Sequence, residues 1–260
     1  MEKEKINSRK IWLNWGIFGV LIFIRLFFFE HFMVPSASMT PTLNTGDILF
    51  VKKYSYSWNR MCLPFGGYLP FFREGYKLGS PKRGEPAVFI ASRDPSTYYV
   101  KRIVALENDK VQMKNGILHI NGKASKLEKF SDYTYVNDYG KKETGEKFKV
   151  TLPCGKEYFI YRKEKIGKGH IDNTLEFTVP KGHVWVQGDF HTNSADSFSP
   201  QFLGPVPIEN LVGVPSLIIY GTNNRSDPAS NIFFWLFQLP LRIPNALLST
   251  NFSRIFTWVK

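Results

Sequence analysis

Residues Ile11 to Phe29 read IWLNWGIFGVLIFIRLFFF, and fifteen of these nineteen are large apolar side chains. Wound as a helix at about 1.5 Å per residue, the run spans about 28 Å, close to a hydrocarbon thickness of about 30 Å. A transmembrane helix over 11–29 is therefore expected, with a buried core helix as the alternative. Arg25 lies near the far end, where its long stem can carry the charge to the headgroups. Lys3, Lys5, Arg9 and Lys10 precede the run, and no Lys or Arg occurs from Leu26 through Val51. The excess of positive charge on the inner flank places residues 1–10 in the cytoplasm and everything after Glu30 on the outer face. Ser36-Ala37-Ser38 also has the small-x-small form of a leader cleavage site. The apolar run is long for a leader, and Glu30-His31 interposes charge before that site.

Beyond the run, the chain changes character. From Asp47 onward, short apolar or alternating stretches recur between turn signals: 47–53, 87–91, 98–106, 111–113, 117–120, 157–161, 184–187 and 216–220. Asn115-Gly116 and Asn121-Gly122 are hairpin turns by composition, since both positions of such turns need positive φ. No long 3.6-residue periodicity occurs between 30 and 225, which predicts an antiparallel β domain over 30–222. Lys123 to Lys149 is polar and charged, suited to exposed loops and hairpins.

Two aromatic stretches interrupt the strands. Tyr54 to Tyr76 carries eight rings among Gly and Pro, and Asn231 to Ile243 reads NIFFWLFQLPLRI, followed by Phe252, Phe256 and Trp258. Rings with polar tips favour the headgroup zone, so both are expected at a membrane interface, with core packing as the alternative. The net charge of +12, from 34 Lys plus Arg against 22 Asp plus Glu, asks for an anionic partner. With the basic domain outside the cytoplasm, that partner is a phospholipid surface rather than nucleic acid.

The chain lacks a GxSxG elbow and an HExxH motif, and its five His form no metal-ligand pattern beyond a weak His183/Asp189/His191 grouping. Cys62 and Cys154 form no CxxC, and two separate thiols are expected rather than one bridge. Ser38 follows the apolar run by some nine residues in a Pro-bounded loop, and Lys101 lies in an apolar strand, on the face of Tyr99 and Ile103 and opposite Arg102. A Lys with its ordinary pKa near 10.4 is only about one part in a thousand neutral at pH 7.4. Burial lowers that pKa by up to about 3 to 5 units, and a desolvated Lys can then serve a Ser nucleophile as base.

These residues carry a resemblance. Phe32-x-x-Pro35-Ser36-Ala37-Ser38-Met39 with Pro41-Thr42-Leu43, then Gly46-Asp47-x-x-x-Val51-x-Lys53, then Tyr99-Val100-Lys101-Arg102, and finally Gly188-Asp189 with Asn193-Ser194-x-Asp196-Ser197 follow one another in order. The set resembles the motif boxes of the bacterial type I signal peptidases, membrane-anchored Ser-Lys proteases that remove signal peptides from exported preproteins. The resemblance implies Ser38 as nucleophile and Lys101 as neutral general base. It implies an oxyanion hole from the Ser38 backbone N–H and the Ser36 hydroxyl, with Ser194 orienting the Lys101 amine. Phe32, Val34, Met39, Tyr99 and Val100 would line apolar subsites for small side chains, usually Ala, at the third and first residues before the cut. Arg102, Asp189 and Asp196 would give structural support. No metal or cofactor is implied, and the partners would be exported preproteins and the lipid bilayer of the bacterial inner membrane. The sequence sets no oligomeric state.

The last box departs from the family. Phe190 stands where Asn is usual after Asp189, and Phe198 replaces the Arg that would face Asp196. Ala105-Leu106-Glu107-Asn108-Asp109 replaces a Gly-x-Pro-Gly-Asp turn, with Asn108 suited to the left-handed position. Two variants of the reading stay open: a peptidase dedicated to one pilin or conjugation substrate, and a tethered relative that binds preproteins without cutting. The expected organisation is a cytoplasmic 1–10, the span 11–29 and a protease domain 30–222. Within that domain lie an aromatic insertion at 54–80 and a cap near 123–168; residues 223–260 form an interfacial C-terminal segment.

Overall fold

The computed structural model describes residues 2–63, 70, 75–136, 141–191, 194, 196–198, 203–221 and 252–259. Helix α1 (Glu2–Phe27) leads into an assembly of strands. The helix begins ahead of the apolar run and stops before its end, the latter because Phe29 already belongs to β1 (Phe29–Met33), which pairs antiparallel with β2 (Ile48–Lys52). Phe29 stacks on Phe50 at 4.7 Å, so the last rings of the run cover a sheet rather than extend a helix. The side chains from Lys10 to Arg25 are exposed, Trp12 by 76% and Trp15 by 64%. Among the described residues no helix is long and apolar enough to cross a membrane.

The main sheet has eight strands. Its order is β1, β2, β16 (Leu211–Tyr220), β5 (Pro86–Ala91), β6 (Asp94–Ala105), β14 (His183–Gln187) and β15 (Val206–Pro207), with β17 (Thr257–Trp258) added to β16. Every pairing in it is antiparallel. The 2-residue period of ILFVK at 48–52 turns Leu49 and Val51 inward, at 1% and 0% exposure. In β6 the first residues are exposed or partly buried and the last five, Lys101 to Ala105, are buried, so the strand runs from the surface into the core.

Two smaller sheets pack at the inner end. One orders β13 (Phe177–Thr178), β7 (Lys110–Lys114), β8 (Ile117–Ile120) and β9 (Lys123–Ala124); the other orders β10 (Lys126–Val136), β11 (Lys142–Thr151) and β12 (Glu157–Arg162). They share one apolar cluster with the main sheet, in which Val104, Met113, Phe148, Ile160 and Trp185 are all buried. Asn115 and Gly116 take φ of 48° and 75°, the values a two-residue hairpin turn demands, and Asn108 takes 66° in the altered turn after β6. The polar stretch 123–149 is thus mostly long paired strand.

The aromatic insertion divides. Tyr56 is buried at 1% and Trp58 packs on Phe27 at 5.1 Å, whereas Tyr76 is 70% exposed. Ser57–Trp58 and Tyr76–Lys77 form the small pair β3 and β4. Phe65, Tyr68, Phe71, Phe72 and the stretch 231–243 lie outside the described residues. Lys53, 1% exposed, closes the junction below by meeting Glu30 at 2.7 Å and donating to the Cys62 carbonyl at 2.5 Å. Cys62 is buried, Cys154 exposed, and both are free thiols.

Candidate active site

The loop from Val34 to Asp47 carries Ser38 and is tied at both ends. Val34 N–H donates to the Asp47 carbonyl at 2.9 Å, and Gly46 N–H donates to the Val34 carbonyl at 2.8 Å. Gly46 has φ of 87°, a left-handed position that favours glycine. Within the loop, Ala37–Met39 form one 3-10 turn, closed by Thr40 N–H on the Ala37 carbonyl at 2.9 Å. Met39 and Leu43, both 0% exposed, anchor this turn in an apolar cluster with Leu49, Val51 and Val88. Ser38 is thus buried on a short turn with apolar residues on both sides.

Strand β6 brings Lys101 to it. The Lys101 ammonium nitrogen lies 2.5 Å from Ser38 Oγ, and Ser36 Oγ lies 3.2 Å from the same oxygen. Lys101 is 4% exposed, and burial pushes its pKa down to about 8 against the opposing pull of Asp196 and Asp189. A group with that pKa is about one-fifth neutral at pH 7.4, two orders of magnitude above a free lysine. The pair therefore has what general-base activation needs: contact, and a base whose neutral form is populated.

The floor behind the pair comes from the end of β14. Gly188 passes so close to the Ser38 loop that a Cβ there would meet the Ser38 carbonyl at 2.6 Å and collide with the Ser194 hydroxyl. Phe190 N–H donates to the Ser38 carbonyl at 3.0 Å. Between them, Asp189 takes two hydrogen bonds from Arg102, at 2.8 and 2.7 Å, with both side chains 0% exposed. Arg102 also donates to the Gly84 carbonyl at 2.6 Å and to Thr42 Oγ1 at 3.2 Å, and stacks 4.4 Å above the Tyr158 ring. Thr42 in turn donates to Asp189. The ion pair so satisfied locks β6, β14 and the Ser38 loop together, a bridging role for Thr42 that no local sequence signal advertises.

Asp196 is buried without a guanidinium beside it among the described residues. It accepts from the backbone N–H groups of Gly188 at 3.2 Å and Phe198 at 3.0 Å. Burial raises its pKa to about 6, opposed by the Lys101 charge, those two N–H donors and the Ser194 hydroxyl. Phe198, in the position of the missing arginine, packs edge-on against Trp185 at 5.3 Å. Phe190 packs into a cluster with Ala37, Tyr135 and Tyr161, 4.7 Å from the Tyr161 ring.

Ser194 Oγ is buried beside Asp196, whose ionised form its hydroxyl favours, and the Lys101 amine is turned toward Ser38. Of the five subsite residues, Phe32, Val34, Met39 and Val100 share one cluster, while Tyr99 packs on Phe89 at 5.9 Å in another. Strand alternation separates Tyr99 from Val100. No group of three His, Cys, Asp or Glu side chains able to hold a metal ion occurs among the described residues.

Known proteins resemble the chain over most of its length. Residues 9–220 match the family described as signal peptidase, peptidase S26. The chain is 33% identical to signal peptidase I of Rickettsia prowazekii over 270 residues, 98% of this chain and 97% of that one. It is 34% identical to signal peptidase I of Rickettsia massiliae over 269 residues, 98% and 96% of the two chains. A crystal structure of a signal peptidase I from Enterococcus faecalis is 22% identical, with a TM-score of 0.29 over 52% of this chain and 96% of that one. The chain belongs to the signal peptidase family, peptidase S26.

Proposed function

We propose that the protein cleaves signal peptides from exported preproteins by a Ser38–Lys101 mechanism at the outer face of a membrane. The observation that carries this reading is the buried Lys101 amine at 2.5 Å from Ser38 Oγ. The neutral amine takes the Ser38 hydroxyl proton as Oγ attacks the scissile carbonyl. The oxyanion is met by the Ser38 backbone N–H and the Ser36 hydroxyl, each such donor being worth about 2.7 to 4 kcal/mol. Lys101 returns the proton to the leaving amine, and water then resolves the acyl-enzyme by the reverse sequence. These steps call on no metal or cofactor.

In this reading the partly buried Phe32 and Val100, backed by the buried Val34 and Met39 of the same cluster, offer the apolar surface for small side chains before the cut. In the same reading, residues 11–29 with their flanking cations form the single membrane anchor, residues 1–10 face the cytoplasm and 30–222 form the protease domain. Exposed apolar side chains along α1, among them Ile11, Trp12, Leu13, Ile17 and Phe18, support lipid as its surroundings. Tyr76 and Leu78, 70% and 58% exposed, support the aromatic insertion as a headgroup contact.

The test is cleavage of a preprotein with Ala at the third and first positions before the cut, by the full chain in lipid. Lys101→Ala should lower kcat by about 10²- to 10⁴-fold and Ser38→Ala should abolish cleavage, both with the fold retained. Wild-type rates in either variant would overturn the mechanism.

A further inference from the structure

The end of the chain folds back onto the nucleophile loop from 207 residues away. Arg254, on the 3-10 turn Phe252–Arg254, donates to Asp47 Oδ2 at 2.5 Å and to Oδ1 at 3.4 Å, and its Nη2 also reaches the Thr42 carbonyl at 3.1 Å. Asp47 is 0% exposed and the Arg254 side chain 19%, so the contact is mostly shielded from water. Asp47 also accepts from Asn44 N–H at 2.8 Å, and its own carbonyl receives Val34 N–H. Arg254 is held there by the strand that follows it. Phe256 N–H donates to the Ile218 carbonyl at 2.8 Å, Val259 N–H to the Ser216 carbonyl at 3.1 Å, and β17 pairs Trp258 with Leu217. Since β2 covers one edge of β16 over these residues, β17 occupies the edge that β5 leaves free beyond Gly213. Val259 completes the seat by packing against the cluster of Val34, Met39 and Leu43.

Two guanidiniums therefore grip the loop that carries Ser38. Arg102 holds it through the Thr42 hydroxyl and Asp189, and Arg254 through the Thr42 carbonyl and Asp47. We propose that Arg254 is a positioning residue for the peptidase reaction, fixing the nucleophile loop so that Ser38 Oγ stays in register with the Lys101 amine. The proposal rests on the Ser38–Lys101 reading. Its physical basis is twofold. A buried carboxylate that loses its counter-charge must either protonate or draw in water, and either change loosens the loop. A displacement of about 1 Å at a nucleophile can cost about 10²-fold in rate.

The experiment compares full-length wild type, Arg254→Met, Arg254→Lys, the double variant Asp47→Asn with Arg254→Met, and Ser38→Ala on one preprotein substrate. The concentration of folded sites is titrated by near-UV circular dichroism against wild type, so that any unfolded fraction drops out of kcat. Expected are a fall in kcat per titrated site of about tenfold or more in Arg254→Met with KM within about twofold, and partial recovery in Arg254→Lys. The double variant should be no worse than Arg254→Met alone, because the two side chains act as one unit. A kcat per titrated site unchanged in Arg254→Met, beside an inactive Ser38→Ala, would overturn the positioning role alone. A further loss in the double variant beyond that of Arg254→Met would overturn the route through Asp47. Cleavage by Ser38→Ala would overturn the nucleophile reading and this proposal together.

Discussion

At the scale of single residues, the site is an argument about where charge is allowed. Lys101 is useful because burial disfavours its ammonium, and the neighbouring carboxylates limit how far the shift goes. In the proposed mechanism the neutral form is the active one, so kcat/KM should rise with pH through an apparent pKa of about 8. Asp196 favours the ammonium, hence Asp196→Asn should lower the Lys101 pKa further and move that limb to lower pH. A pH–rate profile of the two enzymes checks it, and a limb that stays put or moves up would show that Asp196 does not sense Lys101. The Asp189–Arg102 pair behaves differently, because it is buried and fully hydrogen-bonded. Replacing Asp189 by Ala strands a buried guanidinium, for which a loss of about 3 to 5 kcal/mol in a denaturant titration is expected. Ser38 and Lys101 are both legible in the sequence, through the ordered boxes around them. Ser194 is legible only as a member of its box, since no sequence pattern states which way a hydroxyl turns.

The elements set how the site is walled. Phe190, which departs from the family, pins the sheet of β10 to β12 to the nucleophile turn: its ring meets Tyr161 and Tyr135 at 4.7 and 5.5 Å, and its N–H holds the Ser38 carbonyl. Phe190→Ala should remove about 3 to 5 kcal/mol of core packing. The expected sign is a lower Tm with faster amide exchange in β10 and β12, while exchange in β8 stays as in wild type. Equal acceleration in all three strands would mean global loosening rather than release of this sheet. Strands bounded by Asn-Gly turns, such as β7 and β8, can be read from pattern because turn chemistry and alternation agree. β10 and β11 cannot: their Lys- and Glu-rich faces point to water, and cross-strand pairs such as Lys129 with Glu146 replace the apolar signal. β1 is hidden for the opposite reason, its rings being continuous with the apolar run of α1. β17 is two residues long and takes its partner from β16, so nothing local in the sequence could have placed it.

For the whole molecule, charge asymmetry and the two thiols make topology measurable. In the proposed orientation everything beyond Glu30 lies on the outer face, and that orientation governs whether a polar reagent reaches either cysteine in a closed cell. Cys154, in the turn between β11 and β12, is exposed; Cys62 is buried with its thiol donating to the Ser57 carbonyl, and burial pushes its pKa up. A thiol attacks as its thiolate, so Cys62 is protected twice, by access and by protonation. In intact cells stripped of any outer barrier, a membrane-impermeant maleimide should therefore label Cys154 without permeabilisation. The label should be lost in Cys154→Ser and retained in Cys62→Ser. Unfolding in denaturant should expose the second thiol and double the label. Labelling that requires the membrane to be opened would place the β domain on the inner side. That outcome would remove the basis for a peptidase acting on preproteins as they emerge, while leaving the Ser38–Lys101 geometry to be explained by another substrate.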